Sequence, residues 1–229
     1  MMIDRQGETL YHNNVIHFKQ EGGDYMARRI EGVSDELLRC ARDEFLEMGF
    51  QEASLRVIAA KAGTSTGSIY TRYGDKAGLF HALVDDVVNG IEKWFENAQT
   101  EFDNRPTEAK SDALDYASDR LNDMMNYLYD HLDAFRLLVR CSDNDCYERM
   151  IDCLIDIDVK YTVRFMQCTG RSELASGRAN ELMLHMLASA YYSGLFETIR
   201  HDMSREDAVV YAQRLRRFFR MGWADLLNM

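Results

Sequence analysis

The sequence predicts an all-α protein, with a three-helix unit near the N-terminus and a larger helical part behind it. Three observations carry this. A single proline, Pro106, and 14 glycines interrupt 229 residues, so helix breakers are scarce. From Ser34 onward, apolar residues recur at intervals of three and four. No segment alternates apolar and polar residues between turn signals, as a strand would. Hydrophobic residues make up 46% of the chain, enough to bury a core, which excludes a disordered protein.

Residues 1–25 are polar and without period, and are expected to form a flexible leader or arm. One reading makes them translated leader. Back-translation of Gln20-Glu21-Gly22 as CAG-GAG-GGN puts a GGAGG ribosome-binding core shortly before the Met26 codon. The alternative is an ordinary arm.

The first helix is expected to begin at Ser34, a good cap with Asp35 and Glu36 in the following turn. Its inner face reads Leu37, Leu38, Ala41, Phe45 and Leu46, and Gly49 stops it. Ser54 opens a second, short helix carrying Leu55, Ile58, Ala59 and Ala62, which ends at Gly63. A third covers about 65–73 and ends at Gly74. Asp75 caps a fourth, running through Leu79, Phe80, Leu83, Val87, Val88 and Ile91. Beyond Pro106, helices are expected over about 107–129, 131–140, 147–168, 178–201 and 204–227.

The segment Leu55 to Tyr73 is the most informative. Two short helices joined by a tight turn need a small residue where they touch, and Ala59 supplies it. The turn needs a residue that tolerates positive φ, and Gly63 supplies that. Ile69 then drives an apolar side chain back into the first helix of the pair. The outer face of the second offers Thr64, Ser65, Thr66, Ser68, Thr71 and Arg72, with Tyr70 beside them. Short hydroxyls and one base reach phosphates and base edges without blocking entry to a major groove, and Gly67 permits close backbone approach. A surface helical hairpin with glycine in its turn would show the same three-residue pattern.

The surrounding residues narrow the choice. Ala41, Phe45, Gly49-Phe50, Ser54, Ile58-Ala59, Ala62-Gly63, Gly67-Ser68-Ile69-Tyr70, Tyr73, Asp75-Lys76 and Leu79 follow one another without a gap over about 50 residues. This run resembles the DNA-binding domain of the TetR family of repressors. Tyr73 stands where phenylalanine is commoner and Gly74 where a polar residue is usual. The resemblance implies that the 65–73 helix enters the major groove, with Thr66, Gly67 and Thr71 on bases or flanking phosphates. It implies that Tyr70 and Lys76 hold phosphates, and that Ser54 and Arg56 touch the backbone. It also makes Arg28 and Arg29 candidates for a basic arm, against a solvated charge pair. Arg39 and Arg42 lie among acids and read as surface pairs.

Three regions follow: an arm over 1–25, a helix-turn-helix domain over 26–80, and an effector-binding and dimerisation domain over 81–229. The net charge of -11 divides unevenly among them. Residues 26–80 carry eight basic and eight acidic groups, whereas 81–229 carry 17 against 26. The acidic rear would turn away from DNA, and the neutral front must gather its positive charge on one face.

In the rear domain the resemblance implies that the last two helices pair with their mates across a two-fold axis. Leu187, Tyr191, Leu195, Phe219 and Trp223 are the candidate interface residues. An unidentified small molecule is expected among the middle helices, where Tyr116, Met124, Phe135, Tyr161, Phe165 and Met186 are candidate lining residues. Ordinary core is the plainer reading of each.

Other constellations point to no chemistry. Five cysteines form no CxxC, and six histidines show no metal-like spacing, so no metal and no cofactor is expected. Cys141 and Cys146 flank a polar loop, which leaves a disulfide conceivable beside the commoner reading as idle thiols. Asp152, Asp156 and Asp158 read as a solvated acidic stripe. No phosphate loop or nucleophile elbow is present, and no catalytic residue is expected. No apolar run is long enough to span a membrane and no signal peptide is visible, so a cytoplasmic protein is expected. The function expected is a homodimeric, ligand-responsive regulator of transcription, a repressor that binds double-stranded operator DNA. A small-molecule binding protein with a vestigial helix-turn-helix is the alternative from another class.

Overall fold

The computed structural model describes residues 23–105, 113–141, 145–168 and 181–226. Nine helices cover them: α1 (Gly23–Glu52), α2 (Leu55–Lys61), α3 (Thr66–Tyr73), α4 (Lys76–Asp103), α5 (Ala113–Asp130), α6 (Leu132–Arg140), α7 (Cys146–Cys168), α8 (Glu181–Arg200) and α9 (Arg205–Leu226). No strand occurs among the described residues. Residues 1–22 of the expected leader, and Pro106 itself, lie outside them, whereas Gly23–Tyr25, expected in the flexible arm, open α1.

The first helix departs from expectation. It begins at Gly23, so Ser34 sits inside it rather than capping it. Serine serves a helix interior when its hydroxyl finds a partner, and Ser34 Oγ accepts from Arg72 Nη1 at 2.7 Å. Gly49 behaves as expected. Its φ of 78° breaks the helical path and turns the chain toward α2.

α1, α2, α3 and the start of α4 enclose a small core. Leu37, Ala41, Phe45, Ile58, Ile69 and Leu79 have no exposed surface there. Phe80 meets Phe45 and Phe50 edge to face at 5.3 and 5.4 Å. This core is continuous with the rear one, because α4 passes from the first to the second and α1 also packs against α6. The Cys141 thiol, at the end of α6, donates to Phe45 O at 3.5 Å on α1.

Behind, α8 packs on α6, α7 and α9, while α4 lies on α7 and α5 lies on α9. Phe135, Phe196, Met125 and Leu128 fill the centre. Burying each of these stabilises the fold by roughly 1.5–3 kcal/mol before entropy is counted. The α8–α9 corner uses Asp202 at φ 50°, held by Arg136 at 3.2 Å and Arg140 at 2.6 Å.

Cys40, Cys141, Cys146 and Cys153 are not in disulfides. Burial pushes the Cys146 thiol up, which disfavours the reactive thiolate. Among the described residues no helix is long and apolar enough to cross a membrane, and no cluster of histidine, cysteine and carboxylates has the geometry of a metal site.

Candidate nucleic-acid interface

The helix-turn-helix is built by local hydrogen bonds. Lys61 Nζ donates to Glu44 Oε2 at 2.8 Å, and the amide of Ser54 reaches Glu44 Oε1 at 3.4 Å. Glu44 is therefore buried with partners on both ends of α2, and it fixes that helix against α1. The pairing raises the pKa of the Lys61 ammonium. Ser54 occupies the cap position of α2, as expected, without a side-chain cap bond.

α2 ends in a closed turn. Gly63, at φ 64°, donates to Ala60 O at 3.2 Å, and Thr64 donates to Ala59 O at 2.9 Å. These two bonds form the Schellman arrangement, which needs the left-handed residue that glycine supplies. Ser65 then caps α3, its hydroxyl accepting from the Ser68 amide at 3.2 Å. Ile69 is fully buried in the core that holds Ile58 and Ala59, and Tyr73 packs partly against it, which leaves Gly67, Tyr70, Thr71 and Arg72 on the exposed side of α3.

α3 ends at Gly74, with φ 80°, and Asp75 caps α4 by accepting from the Gly78 amide at 2.8 Å. Gly78 has a second role that the sequence reading missed. A β-carbon there would overlap the carbonyl of Tyr73, far inside van der Waals contact. The end of α3 and the first turn of α4 thus lie closer than any side chain permits.

The predicted contact residues fall on one side of this unit. Ser54, Arg56, Thr66, Tyr70 and Lys76 line an open cleft of about 550 Å³, with Ala53, Leu55 and Asp75. Gly67, Tyr70 and Thr71 are exposed along α3, and Thr66 and Ser68 are half-buried. Tyr70 projects its phenol with 56% of its surface open. Thr71 Oγ1 donates to Gly67 O at 2.8 Å, which leaves both of its oxygen lone pairs able to accept. Arg56 is exposed and has no partner among the described residues, whereas Arg72 is engaged by Ser34.

Lys76, expected on a phosphate, also has partners within the chain. Its ammonium donates to Gln51 O at 2.7 Å and Ala53 O at 3.2 Å, and it lies 5.1 Å above the Phe50 ring. Two of its three N–H donors therefore close the end of α1, and one remains for an anion in the cleft. The link before α2 leaves carbonyls that no helix satisfies, and the nearest cation takes them.

The candidate pocket residues do not converge. Met124 and Phe135 are core. Tyr161 and Phe165 face α4, where Tyr161 Oη and Thr100 Oγ1 lie 2.7 Å apart and Phe165 meets Phe102 at 6.0 Å. Met186 points away from the bundle, 63% exposed, because it lies on the outer side of α8. Of the candidate dimer residues, Leu195 is wholly buried inside the chain and cannot meet a partner. Leu187, Tyr191 and Phe219 are half-buried, with the Tyr191 and Phe219 rings 5.3 Å apart. The exposed apolar surface of α8 and α9 is instead Leu182, Met186, Val210, Phe218 and Met221. The side chains of Tyr116, Trp223, Arg28 and Arg29 lie outside the described residues.

Residues 37–83 match the family described as bacterial regulatory proteins, tetR family. Among solved structures, the chain is similar to a transcriptional regulator of the TerR/AcrR family from Aquifex aeolicus VF5. The TM-score is 0.54 at 16% identity, over 82% of this chain and 98% of that one. It is also similar to NalD, the secondary repressor of the MexAB-OprM multidrug efflux pump in Pseudomonas aeruginosa. There the TM-score is 0.51 at 19% identity, over 83% of this chain and 96% of that one. At such identities the likeness is one of fold. No curated protein matches the chain.

Proposed function

We propose, from the match of residues 37–83 to the tetR family of bacterial regulatory proteins, that the protein is a homodimeric repressor that binds operator DNA and leaves it when a small molecule binds behind. Residues 26–80 read DNA, and residues 81–229 dimerise and sense. The observation that carries the reading is the cleft beside α3. Arg56, Tyr70 and Lys76 converge there on a space open to solvent. Guanidinium, phenol and ammonium groups around one opening suit a phosphate, while α3 itself presents Thr66, Gly67, Ser68 and Thr71 to a groove. Ser54 adds a hydroxyl at the rim.

Dimerisation is supported by the apolar stripe of α8 and α9, where Phe218 is 73% exposed. A single reading head holds few base contacts; two heads across a two-fold axis double them at a spacing set by the DNA repeat. The repressor role follows by analogy with NalD, which is described as a repressor. The site of action is the cytoplasm, where operator DNA lies.

Selection of binding sites from fragmented genomic DNA tests this reading. The expected result is enrichment of sites with two-fold symmetry and half-sites about one or more helical turns apart. Enrichment of no sequence would leave the vestigial alternative.

A further inference from the structure

We propose that Cys146 is a site of covalent modification by small electrophiles of the conjugated-carbonyl class, with His81 as the base that activates it. The proposal goes beyond the regulator reading and does not depend on it. Cys146 opens α7, and its thiol is in no disulfide. Expected among idle thiols, it stands within a cluster of titratable groups from two helices.

Its Sγ lies 3.8 Å from Nε2 and 3.9 Å from Nδ1 of His81, on α4. Asp85 Oδ1, one turn along α4, is 2.8 Å from His81 Nδ1. A carboxylate only accepts, so Nδ1 carries the proton and Nε2 is left bare. On the other side Arg149 Nη2, one turn along α7, donates to Sγ at 3.6 Å. Asp145 holds the same guanidinium through Nε at 3.3 Å. A nucleophile, a base and a group that orients the base therefore follow one another, as activation of a thiol requires.

The thiol rests protonated. Burial is the main cause, and Asp145 and Asp85 work in the same direction against Arg149. A thiol in that state reacts when a base removes its proton during attack, and His81 stands beside it to do so. The positive end of α7 favours the charge that develops on sulfur. The other described thiols have different neighbours. Cys141 donates to Phe45 O at 3.5 Å, and Cys153 faces Glu92, Glu96 and Asp156. Cys40, although 3.7 Å from Arg39 Nη2, donates to Glu36 Oε1 at the same distance. Carbonyl and carboxylate partners hold a thiol in its neutral form.

The cluster also selects the electrophile. Addition to a conjugated carbonyl forms a bond from sulfur to the β-carbon and opens the carbon–carbon double bond to an enolate. His81 takes the thiol proton and passes it to the α-carbon. Nothing leaves, and neither an oxidant nor a reductant is consumed. The enolate oxygen is negative as it forms, and Arg149 has further N–H groups, beyond those on Sγ and Asp145, to meet it. Cys146 keeps 6% of its surface, while the His81 and Arg149 side chains around it are 36% and 61% open. Such a position admits a small, flat reagent and hinders a bulky one.

Time-resolved peptide mass spectrometry of the full chain with methyl vinyl ketone at pH 7.5 tests this without DNA. Cys146 should be alkylated faster than Cys40, Cys141 and Cys153. His81→Gln should slow that alkylation about tenfold or more, and Asp85→Asn should slow it by a smaller factor. In urea, where the fold is lost, parent and variants should react alike. Thermal unfolding reports whether each variant is folded; if His81→Gln is not, Asp85→Asn decides by the same measure. Alkylation of Cys146 no faster than that of the other three, or no slowing in the folded variant, would overturn the proposal. Neither result bears on DNA binding, and a failure to bind DNA would leave the alkylation rates standing.

Discussion

The carbonyl of Tyr73 occupies the space that a β-carbon on Gly78 would need. The last residue of the candidate recognition helix is thereby pressed against the first turn of α4, and any rotation of α4 reaches α3 directly. Gly78→Ala replaces that contact with a clash against backbone, which cannot swing aside. Alanine gains about 1 kcal/mol of helix propensity, but overpacking costs about 1–3 kcal/mol, so a net loss is expected. Urea unfolding should show it, and DNA affinity should fall with it.

Gly67 is the contrasting glycine. A β-carbon there would meet only Ser65 Oγ, at 3.6 Å, an ordinary contact. Gly67→Ala should unfold at the same urea concentration as the parent or slightly higher, yet bind DNA more weakly, because in the proposed binding mode the added methyl stands on the side that meets the duplex. Unchanged DNA affinity would take Gly67 off the interface.

Lys76 joins structure and binding. Lys76→Ala removes two hydrogen bonds to Gln51 and Ala53 and one positive charge from the cleft. Stability should drop by about 1 kcal/mol. Binding should weaken on all DNA sequences alike, with the salt slope reduced by about one per protomer. A stability loss with an unchanged slope would make Lys76 purely structural.

Phe218→Arg places a charge in the middle of the exposed stripe on α9. Sedimentation should show the parent as a dimer and the variant as a folded monomer, with operator affinity falling in parallel. A variant that remains dimeric would move the interface elsewhere.

Asp158, expected on a solvated stripe with Asp152 and Asp156, turns inward, where Gln99 Nε2 donates to it at 3.3 Å and burial raises its carboxyl. It makes a pH-dependent contribution with a definite sign. Its folded pKa of about 6 lies above the ordinary 3.8. The native state therefore holds its proton more tightly, an advantage that is full below about pH 3.8 and lost as pH rises through 6. Ionisation at pH 7.5 then costs on the order of 2–3 kcal/mol. Asp158→Asn should raise Tm at pH 7.5 and change it little at pH 4. Equal shifts at both would show that the carboxylate is not deprived of solvent.

These sites were unequally legible in the sequence. Gly63, Ser65 and Asp75 act on neighbours within four residues, so their roles could be read from spacing alone. Ser34 looked like a cap for the same reason, but its partner, Arg72, is 38 residues away and the helix runs past it. Lys76 resembled a phosphate ligand by position, while the carbonyls it satisfies come from a link whose path only packing defines. Leu195 and Met186 were both apolar residues on α8, and nothing local says which side of that helix meets the core. Asp158 follows Asp156 by two residues, enough on a helix to exchange water for the interior.

Fluorescence anisotropy of the purified protein on the DNA just upstream of its own gene, over a salt series, is the most direct measurement. A fragment from inside the gene serves as control. The account predicts tight, salt-sensitive binding that prefers the upstream fragment and weakens in Gly67→Ala. Weak and equal binding to both fragments, insensitive to Gly67→Ala, would contradict it.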